Sequence, residues 1–260
     1  MKLNKKKVFA ASLALCLVAI LSMGSLAWFT DADDVTNKFM IADSADTEEE
    51  IFSVDVVERV DADGDGKYDD GLKDTGITYE NILPGDVLLK QPIVKNTGYY
   101  DQYVRVTVTL SDANAWQTVY GTDDVALNKV VNGLNEAALY ASYSYEDTAA
   151  DALVYVLYYR KALQAGGEFT VFDSVNVPTS MTAAQAALFN QDTNAGFTLD
   201  VFAEAVQIEN VGDNVFEAYK TVKNDVTMDT MYVTTFEELQ AAINNAPNGT
   251  TVKLVNDING

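Results

Sequence analysis

Gln102-Tyr-Val-Arg-Val-Thr-Val-Thr-Leu110 alternates side-chain character along its whole length. Val104, Val106, Val108 and Leu110 fall on one side of an extended chain and Arg105, Thr107 and Thr109 on the other, which is the period of an antiparallel strand with one buried face. The same rhythm precedes it in Ile51-Phe-Ser-Val-Asp-Val-Val57, Val87-Leu-Leu89 and Ile93-Val94. It follows in Val154-Tyr-Val-Leu-Tyr-Tyr159, Phe169-Thr-Val-Phe172 and the run from Phe197 to Ile208. Turn clusters separate these runs: Leu83-Pro-Gly-Asp86, Asn96-Thr-Gly98 and Ala165-Gly-Gly167. Helical patterning between these strands is confined to residues 124–139, where Gly133 interrupts it, to 182–189 and to 213–222. This order predicts an all-β fold, an antiparallel β-sandwich with short helical insertions, because βαβ units would need a helix between successive strands throughout.

Composition narrows the chemistry. The 260 residues include 17 Lys and Arg against 39 Asp and Glu, one Cys and no His. Without imidazole there is no Ser-His-Asp or Cys-His catalysis, no His-ligated zinc site and no histidine pH switch. A net charge of −22 repels phosphate backbones, so nucleic acid is excluded as a partner and cations or basic surfaces are favoured.

The N-terminus reads as a secretory leader over residues 1–27: a basic start with Lys2, Lys5, Lys6 and Lys7, an apolar run from Val8 to Leu21, and a small-residue stretch ending at Ala27. The expected product is secreted, with membrane association only through an uncleaved leader. Cleavage removes Cys16, so the mature chain has no disulfide framework. Residues 28–50 are an acidic arm around the apolar island Phe39-Met-Ile41, residues 51–230 the sandwich, and residues 231–260 a strand-helix-strand appendage. In that appendage Thr235 and Glu238 form a capping box, and Phe236, Leu239 and Ile243 share one helical face. Its order is similar to the opening unit of right-handed β-helix surface proteins, where a helix caps the first coil.

The sharpest chemical motif is Asp61-Ala-Asp63-Gly-Asp65-Gly66-Lys67-Tyr-Asp69. Alternate carboxylates around a bending glycine converge oxygens on a hard cation, so Asp61, Asp63, Asp65 and Asp69 are the candidate ligands of a weak Ca²⁺ site. Leu72 stands where an EF-hand loop has its bidentate Glu, and the competing reading is a solvated acidic hairpin loop. Asp74-Thr-Gly76 matches the aspartic-protease tripeptide, but Lys73 precedes it and no second copy exists. The fourteen tyrosines fit strand packing better than a sugar-stacking surface.

Taken together, Gly24-Ser-Leu-Ala-Trp-Phe-Thr-Asp31, Thr36-Asn-Lys-Phe39, Leu83-Pro-Gly-Asp86, Pro92, Asn96-Thr-Gly98, Tyr103-Val-Arg-Val106, Phe172-Asp-Ser-Val175 and a long strand from Phe197 to about Glu217 resemble the TasA/camelysin family over residues 1–220. The resemblance implies a jelly-roll fold, cleavage by a SipW-type signal peptidase, and residence at the cell surface or in a biofilm matrix. TasA-like members polymerise by donating the N-terminal arm of one subunit as a strand to the next. Here that implies an arm from Trp28 to Ala42 with Phe29, Val35, Phe39 and Ile41 as anchors, and as partners the chain itself and other matrix or surface components. Camelysin-like members are surface metallopeptidases. The missing His argues against that activity, so the expectation is a non-enzymatic structural protein, with a metallopeptidase or a calcium-dependent surface adhesin or binding module as alternatives.

Overall fold

The computed structural model describes residues 30–34, 38–39, 53–79, 82–190, 196–223 and 226–256, and strands outweigh helices in it. The leader at 1–27 and the arm positions Phe29, Val35 and Ile41 lie outside the described residues. In chain order the strands are β1 (Thr30–Asp34), β2 (Lys38–Phe39), β3 (Val54–Val60), β4 (Val87–Leu88), β5 (Lys90–Asn96), β6 (Gln102–Ser111) and β7 (Val131–Asn132). They continue as β8 (Leu139–Asp147), β9 (Ala152–Tyr159), β10 (Glu168–Thr170), β11 (Ser174–Asn176), β12 (Leu199–Gln207), β13 (Thr230–Val233) and β14 (Thr251–Leu254). One eight-stranded sheet runs β14-β13-β8-β9-β6-β12-β1-β2, antiparallel except for the parallel β13–β14 pair. Two three-stranded sheets, β10-β5-β3 and β4-β11-β7, complete the β-rich fold, and none of the sheets closes into a barrel.

The alternation in β6 sets where the core sits. Val104, Val106, Val108 and Leu110 are fully buried while Arg105, Thr107 and Thr109 are half-buried on the other face. Beside them, Tyr155 and Leu157 of β9 and Val201 and Ala203 of β12 meet Val54, Val94 and Val175 from the small sheets in one apolar cluster. Each fully buried aliphatic side chain there contributes about 1.5–3 kcal/mol before entropy is counted.

Helices cap the layers rather than alternate with the strands: α1 (Ala113–Tyr120), α2 (Leu127–Val130), α3 (Ala183–Ala186), α4 (Val215–Val222) and α5 (Phe236–Asn245). Helix α1 has no counterpart in the sequence reading. It buries Trp116 completely against the rings of Phe189 and Phe197, at 5.0 and 4.9 Å. The helical pattern at 124–139 resolves into α2, the short strand β7 and a 3₁₀ turn at Glu136–Ala138. Gly133 causes the break: its φ is +80°, and a Cβ there would lie 2.0 Å from Asp173 Oδ2. Gly133→Ala is therefore expected to cost about 1–3 kcal/mol in urea unfolding, from the left-handed backbone and the displaced carboxylate together. The strand read from Phe197 ends at Gln207, and the chain turns into α4, where Asn214 Oδ1 accepts the Glu217 N–H at 3.1 Å. The extension of that strand to Glu217 is thus corrected, since Gly212 and the capping Asn214 favour a turn and a helix start.

The C-terminal strand-helix-strand order appears as β13, α5 and β14, and it continues the large sheet through pairing of β13 with β8. Arg160 fastens it, donating from Nη2 to the carbonyls of Leu139 and Tyr232 and from Nη1 to Glu238. Thr235 Oγ1 accepts the Glu238 N–H at 3.2 Å, while Glu238 reaches back to the N–H of Thr234 at 2.7 Å, one residue earlier than an ordinary capping box.

Candidate functional site

Two places combine unusual chemistry with access. The first is the sheet edge at the N-terminal arm. Strand β1 runs antiparallel to β12, with Thr30 opposite Val206, Ala32 opposite Glu204 and Asp34 opposite Phe202. Strand β2 folds back on β1, with Phe39 opposite Ala32, so the predicted anchor Phe39 lies in the outermost strand of this edge. Strand β1 also lies near β3, the edge strand of the β3–β5–β10 sheet. Its sequence, Thr-Asp-Ala-Asp-Asp, holds three aspartates and no large apolar residue, a composition of low β-propensity.

The strand that receives it, β12, is held far more firmly. On the inside, Val201, Ala203 and Ala205 are buried in the core. On the outside, α4 covers a charge cluster: Glu204 accepts Arg105 Nε at 2.8 Å, a second bond from Arg105 Nη2 and a third from Lys223 Nζ. The Arg105 guanidinium lies 4.8 Å from the Tyr219 ring, a cation–π distance, and the Tyr219 hydroxyl donates to the Glu204 carbonyl. Burial, followed by the Glu204 charge, pushes the Tyr219 phenol well above its usual pKa, so the hydroxyl stays a donor. Sequence reasoning did not single out Glu204. The only local signal is an acid between two alanines in an otherwise apolar strand, and its partners are 99 and 19 residues away.

The second place is the acidic loop. Its base is closed by paired backbone bonds between Glu58 and Lys73, each 2.8 Å, and by Asp69 N–H to the Val60 carbonyl at 2.7 Å. Tyr68 ties it to the neighbouring sheet by donating to the Asp173 carbonyl. Gly66, at φ +81°, supplies the bend: it lets the Gly66 N–H reach Asp61 Oδ2 at 2.8 Å while the Asp65 N–H donates to Asp61 Oδ1 at 3.0 Å. Oxygens of Asp61, Asp63 and Asp65 then lie within 4.8 Å of one another. Two oxygens each about 2.4 Å from a common ion lie at most about 4.8 Å apart, so these three suit a hard cation such as Ca²⁺. The fourth predicted ligand, Asp69, is outside that group and accepts the Ala62 N–H at 3.3 Å instead.

Desolvation works against ionisation of Asp61, but the N–H groups of Gly66, Asp65 and Gly64 and a bond from Asp63 outweigh it and hold the carboxyl below the usual carboxylate range. A folded-state pKa below the unfolded one stabilises the loop above the ordinary carboxylate pKa. That contribution disappears as pH falls through the lowered value. Tyr79 stands beside the loop with its hydroxyl pKa raised by burial first and then by the charges of Glu58, Asp61, Tyr68 and Asp69.

No family model matches the chain, and no curated protein or solved structure matches it.

Proposed function

We propose that the chain is a secreted structural protein of the cell surface or biofilm matrix, which assembles into fibres when the arm of one copy takes the place of the next copy's own arm on β12. The observation that carries this reading is the pairing of β1 with β12 at a sheet edge, by a short acidic strand that adds no large apolar residue to the core. An element joined to the body by a linker can make the same contacts on a neighbour at little cost, and a head-to-tail swap propagates without closing. Between Phe39 and Val54 the chain has about 14 residues, enough to span up to about 45 Å when extended. The jelly-roll topology, the SipW-type processing and the extracellular location belong to the same proposal, supported by the TasA-like motifs and the leader-like N-terminus. Deleting residues 28–42 tests it: electron microscopy is expected to show loss of filaments from a protein that still folds, and filaments of normal length from the deleted chain would refute it.

The acidic loop adds calcium to this reading. Extracellular oxygen-ligand sites of few carboxylates bind in the 10⁻⁴–10⁻³ M range, and a ligand bound only to the folded state raises the unfolding midpoint. Calcium at about ten times its Kd is expected to raise the Tm by about 2–4 °C in the native chain and to leave an Asp63→Asn, Asp65→Asn double variant unmoved. Scanning calorimetry with and without calcium reads the difference.

A further inference from the structure

The eight-stranded sheet has a second edge, far from the arm. Strand β14 is its last strand, and among the described residues nothing pairs with its outer side. The Thr251 N–H donates to the Asp229 carbonyl at 2.7 Å and the Val255 N–H to the Val233 carbonyl at 3.2 Å. Backbone groups alternate along a strand, so the N–H groups of Val252 and Leu254 point outward.

Natural edges are protected by proline, bulges, covering segments or charge. The arm edge carries Asp31, Asp33 and Asp34, whereas β14 reads Thr-Val-Lys-Leu, and its lysine is held by Glu136 at 2.6 Å. Beside this edge the structure leaves apolar side chains uncovered. Helix α5 packs on β13 and β14 through the buried Ala242, while Ile243 is 71% exposed and Phe236 and Leu254 are each 51% exposed. On the face that Phe236, Leu239 and Ile243 share, Leu239 is partly buried, and Phe236 and Ile243 are not consumed by the chain's own core.

Charge selects the occupant. Residues 230–256 contain only Glu237, Glu238 and Lys253 as charged groups, and the latter two are paired with Arg160 and Glu136. In a chain of net charge −22, two copies repel over most of their surfaces and approach most easily here. We propose that β14 is a self-association edge: two copies pair their β14 strands antiparallel about a two-fold axis, extending the sheet from one molecule into the next. With Val252 on the axis, the outward N–H groups of Val252 and Leu254 find carbonyl partners on the second strand, and each Lys253 lies opposite Thr251 rather than the other Lys253. An axis perpendicular to the sheet leaves both α5 helices on the same side of the joined sheet, where their apolar faces can be buried. Isologous pairing of this kind closes at two copies, and it differs from arm exchange, which is open-ended.

The test uses the full chain with Cys16→Ser, which removes its one native thiol. Opposed strand positions of a hydrogen-bonded pair bring Cα atoms to about 5.5 Å, within disulfide reach, so Val252→Cys is expected to form a covalent dimer rapidly under mild oxidation. Ala149→Cys, at an exposed turn, is the control for random collision. Leu254→Glu and Val252→Pro are expected to retain the native Tm, because they alter a half-exposed side chain and an outward N–H, and to weaken dimerisation about tenfold or more in sedimentation equilibrium. Adding Ala32→Pro to disturb the arm is expected to leave the dimer intact, which separates this contact from fibre assembly. Equal cross-linking of the Val252 and Ala149 variants would overturn the proposal. So would a monomer throughout the micromolar range, whether its Val252 and Leu254 amides exchange fast or are protected by other residues of the chain.

Discussion

Glu204→Ala is expected to destabilise the fold by about 3–5 kcal/mol, the range seen when one partner of a buried ion pair is removed. Glu204 is 8% exposed and is the counter-ion of both Arg105 and Lys223. Arg105 lies under α4 against the rings of Tyr158 and Tyr219, so without Glu204 its charge stays desolvated with no anion to receive its Nε and Nη2 bonds. Arg105→Met is expected to cost less, because Lys223 still reaches Glu204 and a methionine fills the space beside the two tyrosine rings. Glu204→Gln keeps an acceptor at the same place and falls between the two. Urea unfolding of the three variants gives the order directly. A loss of under about 1 kcal/mol for Glu204→Ala would mean that the cluster behaves as an exposed pair and does not hold α4 to the sheet.

Ala32→Pro is expected to abolish filament growth while changing the monomer's stability by much less than Glu204→Ala does. Ala32, like Asp33, is paired on both sides, to Glu204 of β12 and to Phe39 of β2, and it is the middle residue of β1. A proline there removes a backbone donor from whichever ladder uses it and fixes φ near −65°, away from ordinary strand values. The body loses little, since the core valines of β6 and β12 are buried by β9 and the small sheets. Assembly loses the central residue of the exchanged strand. Filament counts by negative-stain microscopy and urea midpoints for the same preparation separate the two effects; a variant that is unfolded and also fails to assemble would indicate that β1 belongs to the body.

What could be read in advance follows the range of the interactions. The alternation in residues 102–110 is a local property, and β6 runs from Gln102 to Ser111 with its valines inward. The Asp61 loop was legible for the same reason, since Gly66 and the spacing of Asp61, Asp63 and Asp65 act within five residues, whereas the placement of Asp69 depends on the fold of the loop's far side. The helical face of Phe236, Leu239 and Ile243 was legible as a face, but its exposure was not, because burial depends on what packs against it. Helix α1 is eight residues long and gains its stability from Trp116 packing on Phe189 and Phe197, more than seventy positions away, so no local pattern announces it. The Arg105–Glu204–Lys223 cluster and the choice of β12 as the arm's neighbour are both tertiary pairings. They emerge only once β6, β12 and α4 are brought together.

Exchange of the arm between molecules makes a prediction that folding within one molecule does not. Asp34 and Phe202 are opposed across β1 and β12, so Asp34→Cys and Phe202→Cys single variants, each with Cys16→Ser, can form a disulfide between them only if the arm of one chain occupies β12 of another. Mixed before assembly and oxidised as filaments grow, the two variants are expected to yield a covalent dimer whose peptides join position 34 to position 202, at a level that rises with filament mass. Filaments that form without this product, while a chain carrying both substitutions cross-links only within itself, would contradict arm exchange as the basis of assembly.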